Sequence, residues 1–181
     1  MKNKRMRTLL GALALAASPL FAQDIPTSKP QATAPYRTAI GLRYAPSNIS
    51  GPDAAVSVKH FFWRETAVEA QFGRLSGSAY QASLHYIWQP QLLSSSRFRP
   101  YAGIGVGLTA TDRNIYGEEQ HLETGAVGIA TVGIEYTFPK APIALSLDYR
   151  HSFAGYKSNY LRDVPLRRMN NFGFSVKYII R

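Results

Sequence analysis

Three carboxylates and five cations carry most of the chemical potential of this 181-residue chain, and their spacing decides what they can do. Glu69, Glu135 and Asp148 each sit on the polar side of an alternating stretch, as do Arg37, Arg43, Lys59, Arg150 and Lys177. Two acids on one wall could work as a general acid and base. Facing so many cations, they more simply neutralise them as a network of ion pairs. The four histidines, His60, His85, His121 and His151, lie on different segments with no partner two or four residues away, so no metal site is expected. Cysteine is absent, which excludes disulfides, thiolate metal ligation, a thiol nucleophile and a lipid-modified N-terminal cysteine. The glycines at 103, 105 and 107 lie inside an alternating run with no helix after it, so they do not cradle a nucleotide, and no cofactor is expected.

The elements that must position these groups are strands. Period-two alternation over about ten residues recurs along the chain. In residues 36–45, Tyr36, Thr38, Ile40, Leu42 and Tyr44 face one way, and Arg37, Ala39, Gly41 and Arg43 the other. Val56, Val58, His60 and Phe62 oppose Ser57 and Lys59; Val68, Ala70 and Phe72 oppose Glu69, Gln71 and Gly73. Tyr80, Ala82, Leu84, Tyr86 and Trp88 oppose Gln81, Ser83 and His85. Later come Ala102–Leu108, Ala130–Phe138, Ile143–Tyr149 and Phe172–Ile180, each alternating with Gly, Ser, Thr or a charge. Eight antiparallel strands and no clear helix follow from this pattern.

Residues 1–22 have a basic start (Lys2, Lys4, Arg5, Arg7), an apolar middle and a small residue at Ala22, the layout of a secretory signal peptide. Its removal leaves 17 basic residues against 11 acidic, too modest an excess to suggest nucleic acid as a partner. Residues 23–35 are rich in Pro, Thr, Ser and Gln and form a flexible lead; the barrel domain is expected over 36–181.

Alternation does not reveal which face is buried. A soluble barrel turns its apolar stripe inward and could hold an apolar ligand; a membrane barrel turns it to lipid. Three features favour the second. The polar face is dense in glycine, as a narrow interior crowded by long charged side chains requires. The aromatics gather at strand ends: Tyr36, Trp63, Trp88, Phe138 and Tyr178 at one, Tyr44, Tyr80 and Tyr149 at the other. Such belts suit membrane interfaces. Connections are mostly short at 63–66 and 138–142 and long at 45–53, 111–123 and 153–170, although 89–100 is long and 74–78 tight.

The stretches Ile40–Arg43, Lys59–Phe62, Tyr101–Gly105, Gly133–Phe138 and Pro142–Arg150 are where the chain resembles the small outer-membrane β-barrel proteins of the OmpA/OmpX-like porin family, in an uncharacterised branch. The resemblance spans about residues 36–181. It implies an eight-stranded up-and-down transmembrane barrel in the bacterial outer membrane, with no defined substrate, and biogenesis through the barrel-assembly machinery. The alternating C-terminal strand resembles the assembly signal of such barrels, departing from it where Arg181 follows Ile180.

On that reading the polar face lines the lumen, and the long outer loops make surface contacts. Residues 111–123 carry four acids against one base; residues 153–170 carry Lys157, Arg162, Arg167 and Arg168 against Asp163. The two loops could pair across the barrel mouth, or the basic one could meet lipopolysaccharide phosphates. A soluble periplasmic barrel, lipocalin-like, is the rival reading, and a lipid A-modifying enzyme the third. The third would use His151 and Ser152, but adjacent strand residues point apart, whereas a His–Ser relay needs both on one face. A non-enzymatic envelope protein is expected.

Overall fold

The computed structural model describes residues 33–46, 53–75, 79–92, 97–113, 121–156 and 171–180. The signal peptide expected at 1–22 and most of the lead at 23–35 lie outside them. So do the basic-patch residues Lys157, Arg162, Arg167 and Arg168.

Eight strands follow one another: β1 (Thr38–Ala45), β2 (Asp53–Phe61), β3 (Thr66–Leu75), β4 (Ala79–Trp88), β5 (Phe98–Arg113), β6 (His121–Thr137), β7 (Ile143–Tyr156) and β8 (Asn171–Ile180). Each pairs antiparallel with its neighbour in sequence, and β8 pairs with β1 from Thr38↔Ile180 to Tyr44↔Phe174, closing the barrel. Closure removes the exposed edges that an open sheet of these β-rich strands would present. The chain enters β1 and leaves β8 at one end, here called the terminus end, which also carries the turns after β2, β4 and β6.

Polarity is inverted relative to a water-soluble core. Leu42, Phe72, Ile104, Val106 and Phe172 are about two-thirds exposed on the outer wall, while Lys59, Glu135 and Lys177 inside are at most 1% exposed. Along β2 exposed and buried residues alternate without a break.

Glycines on the inner wall admit long neighbours. A Cβ on Gly173 would run into the Arg43 guanidinium, and one on Gly133 would come within 2.6 Å of the Tyr101 ring. The interior is therefore packed by pairing an absent side chain with a long one on the adjacent strand.

Three expectations need correction. The first concerns Tyr36 and Arg37. The chain bends before Thr38, so alternation does not extend back from β1. Tyr36, expected in the interface belt, is buried at 7% exposure; Arg37, expected in the lumen, is exposed. Second, the 89–100 connection is shorter, because Phe98, Arg99 and Pro100 belong to β5 and pair with Tyr136, Glu135 and Ile134 of β6. On its other side β4 ends at Trp88, opposite Ala102, so Pro100 lies on a locally open edge, where proline is tolerated. Third, the 111–123 and 153–170 loops are partly strand. The β5–β6 ladder continues to Arg113↔His121, and β7 runs to Tyr156 past a bulge at Phe153, opposite the step between Gly128 and Ile129.

Candidate functional site

The site with most structure is the lumen. The inward positions of all eight strands converge on a space that is just wide enough for side chains in a barrel of this strand number. Glu69, Glu135 and Asp148 occupy it together with Arg43, Lys59, Arg150 and Lys177. Arg37 does not join them. Two further buried charges do: Arg99, from the start of β5, and Asp53, from the start of β2. Among the described residues five buried cations thus face four buried acids, close to neutrality as low-dielectric burial demands.

Glu135 is the first node. Its Oε1 accepts from the Tyr36 hydroxyl at 3.0 Å and from Gln89 Nε2 at 3.0 Å, while Oε2 accepts from Lys59 Nζ at 3.2 Å. Lys59 also donates to Gln89 Oε1 and lies 4.7 Å from the Tyr101 ring centroid, a cation–π distance. Beneath this node is an apolar cluster of Tyr36, Ala39, Phe61, Ala67, Ile87, Tyr101, Ala144 and Ile179. Tyr36 meets Phe61 edge to face at 5.1 Å. The segment before β1 closes the terminus end: Ala34 packs on that cluster, and Arg99 Nη1 donates to the Thr33 carbonyl. Burial, and then the Glu135 carboxylate, raise the pKa of the Tyr36 phenol well above its usual range, so the hydroxyl remains a donor.

Lys177 joins this node to the next. Its Nζ is 2.9 Å from Glu69 Oε1 and 3.9 Å from Glu135 Oε2. Glu69 also accepts from Ser57 Oγ at 2.6 Å and Gln71 Nε2 at 2.8 Å. Gln71 then turns its carbonyl oxygen to Arg150 Nη1 at 2.6 Å.

Asp148 is the second node. Arg43 approaches it with Nη2, 2.6 Å from Oδ1, and Nε, 3.2 Å from Oδ2, a bidentate pair. Arg150 Nε lies 3.2 Å from the same carboxylate. Arg43 Nη2 also donates to Asn171 Oδ1 at 2.9 Å, and Asn171 reaches Asp53 at 3.5 Å. The contacts therefore run without a gap from Tyr36 at the terminus end to Asp53 at the other. A cavity of about 10 Å³ remains beside Arg43 and Arg150, room for one water at most. Among the described residues the lumen shows no chamber for an apolar ligand, and the soluble lipocalin-like reading is not favoured.

Gln71 and His85 were legible as members of the polar face. Arg99 and Asp53 were missed because they fell in segments read as loops, although Arg99 keeps the parity of Tyr101 and Gly103. Tyr36 was missed because nothing in the alternation marks the bend after it.

On the outer wall, Trp63, Trp88, Phe138 and Tyr178 are exposed near the terminus end, and Tyr44 and Tyr80 near the other. Tyr149 is half-buried against Phe172, with ring centroids 4.8 Å apart. Phe98 and Tyr136 add to the first group, 4.6 Å apart, with Tyr136 in turn 4.9 Å from Phe138. His151 is exposed and stacks near Tyr149, whereas Ser152 pairs with the inward Ile129; the two side chains point to opposite faces. Among the described residues no three His, Asp or Glu side chains are grouped to hold a metal ion.

The chain is similar in structure to the N-terminal β-barrel domain of OprF from Pseudomonas aeruginosa. The TM-score is 0.58 and the identity 13%, and the match covers 80% of this chain and 98% of that one. The likeness is one of fold, an OprF-like eight-stranded up-and-down barrel. No protein-family model matches the chain, and no curated protein matches it significantly.

Proposed function

We propose that this chain is an integral protein of the bacterial outer membrane, non-enzymatic, acting in envelope integrity or surface contact through its outer loops. The observation that carries this reading is the inverted polarity: a mostly apolar outer wall around a lumen packed with ion pairs. Each large apolar side chain left in water forgoes about 1.5–3 kcal/mol of burial, and the wall displays more than a dozen, so a bilayer is the solvent that fits it. The secretory leader read at 1–22, the aromatic belts and the OprF-like fold support the same location. The filled lumen argues against a diffusion pore.

Outer-membrane lipid is the primary partner on this reading, with lipopolysaccharide phosphates meeting Lys157, Arg162, Arg167 and Arg168. The alternating β8 serves as the segment that the barrel-assembly machinery engages. Fractionation of the expressed protein, followed by gels of boiled and unboiled samples, tests the proposal. Outer-membrane recovery with a heat-dependent mobility shift is expected; recovery as a soluble periplasmic protein would overturn it.

A further inference from the structure

The bend that expels Arg37 from the lumen places it on the rim beside the β2–β3 turn. There a groove of about 980 Å³ is lined by Tyr36, Arg37, Phe62, Trp63, Arg64 and Glu65, among others. The backbone around it is pinned. The Phe61 amide donates to the Arg37 carbonyl at 2.8 Å, and the Phe62 and Trp63 amides donate to the Thr66 carbonyl at 3.2 and 3.3 Å. Both guanidinium groups are exposed, and neither has an acidic partner among the described residues. The one acid of the turn, Glu65, is half-buried and accepts from the Gln91 amide at 3.3 Å.

The aromatic half of the groove is as informative as the cationic half. Trp63 is 69% exposed and packs 5.2 Å from Phe62, which continues to the outward Tyr86 at 6.2 Å. The groove thus combines two exposed cations with rings that continue through Phe62 onto the apolar outer wall. An indole at such a boundary suits the headgroup level of a bilayer, and a guanidinium group suits phosphate oxygens, which it can grip through parallel N–H donors. A free phosphate would have no use for the exposed rings, whereas a glycerophospholipid would use both halves.

We propose that this groove binds the phosphate of an anionic phospholipid, with Arg37 and Arg64 as its donors and Trp63 and Phe62 against the upper part of its chains. The proposal rests on the membrane-barrel reading above and names a lipid class for the leaflet at the terminus end.

The test uses the mature chain refolded into vesicles of phosphatidylcholine, with and without phosphatidylglycerol. A heat-dependent gel shift first reports insertion. Spin-labelled phosphatidylglycerol and phosphatidylcholine are then compared for association with the barrel by electron spin resonance. A preference of about fivefold for phosphatidylglycerol is expected. It should fall to near parity in the R37Q/R64Q double variant and persist in K140Q, which removes an exposed cation on the β6–β7 turn.

Equal association of both lipids with the parent chain would overturn the proposal. So would an equal loss in K140Q, which would mark diffuse rim charge, or displacement of the lipid by inorganic phosphate, which would mark a free-anion site. A chain that enters neither kind of vesicle would overturn the membrane reading itself, and the gel shows that before any lipids are compared.

Discussion

Around Glu135 the lumen is assembled from a lysine, a phenol and an amide over an aromatic floor; around Asp148 it is assembled from two arginines. Both nodes bury a carboxylate, yet they distribute risk differently. The donors to Glu135 have few alternative acceptors among the described residues: Lys59 retains Gln89, and Tyr36 has no second acceptor. The arginines at Asp148 keep second acceptors, Asn171 for Arg43 and Gln71 for Arg150. A planar fork can hold two acceptors at once, whereas an ammonium buried beside aromatic rings loses its nearest counter-charge with that carboxylate. The Glu135 node should therefore be the more brittle of the two.

Substitution of the two acids tests that difference most sharply. Glu135→Gln strips the counter-charge from a lysine that is fully buried and should cost about 3–5 kcal/mol in urea unfolding of the refolded barrel. Asp148→Asn should cost less, about 2–3 kcal/mol, because its donors keep neutral acceptors. Equal or reversed losses would break the comparison.

Gly173→Ala probes the Asp148 node from the packing side. Its Cβ would meet the Arg43 guanidinium, and a loss of about 1–3 kcal/mol is expected, read as a lowered temperature for the gel-mobility transition.

Tyr36→Phe probes the seal over Glu135 and should cost about 1 kcal/mol at neutral pH. The raised phenol pKa adds a sign. The stability it contributes is fully present below the ordinary tyrosine value of about 10 and declines as pH rises from there toward the raised value. Urea midpoints measured across that alkaline range should fall more steeply for the parent than for Tyr36→Phe.

The inner and outer faces of the strands were legible because period-two alternation is a local property of the chain. Glu69, Lys59 and Asp148 each stand opposite a largely apolar stripe, and the structure brings them together in the lumen. Local alternation fails where the backbone leaves the pleat. The bend before Thr38 exchanges Tyr36 and Arg37, moving one residue into the Glu135 node and the other into the phosphate groove. Strand length was less legible than strand parity. Arg99 lies behind Pro100, a residue that reads as a loop marker, and only the β6 ladder reveals that the strand has already begun. Asp53 likewise follows a Gly-Pro pair at 51–52 and reads as loop. The pairing of an absent side chain with a long one, as at Gly173 and Arg43, depends on register between β1 and β8, which no single stretch of sequence contains.

The central claim is that the apolar face of every strand meets lipid while the polar face meets only other side chains. The chain has no cysteine, so single introduced ones report without background. Spin labels at Phe174→Cys, Ser175→Cys and Val176→Cys of β8, with the protein in bilayers, would test the claim through collision with oxygen and with a water-soluble nickel complex. Labels at 174 and 176 should be relaxed by oxygen and hardly by nickel, and the label at 175 by neither. Strong nickel relaxation at 174 and 176 would place the apolar face in water and contradict the account.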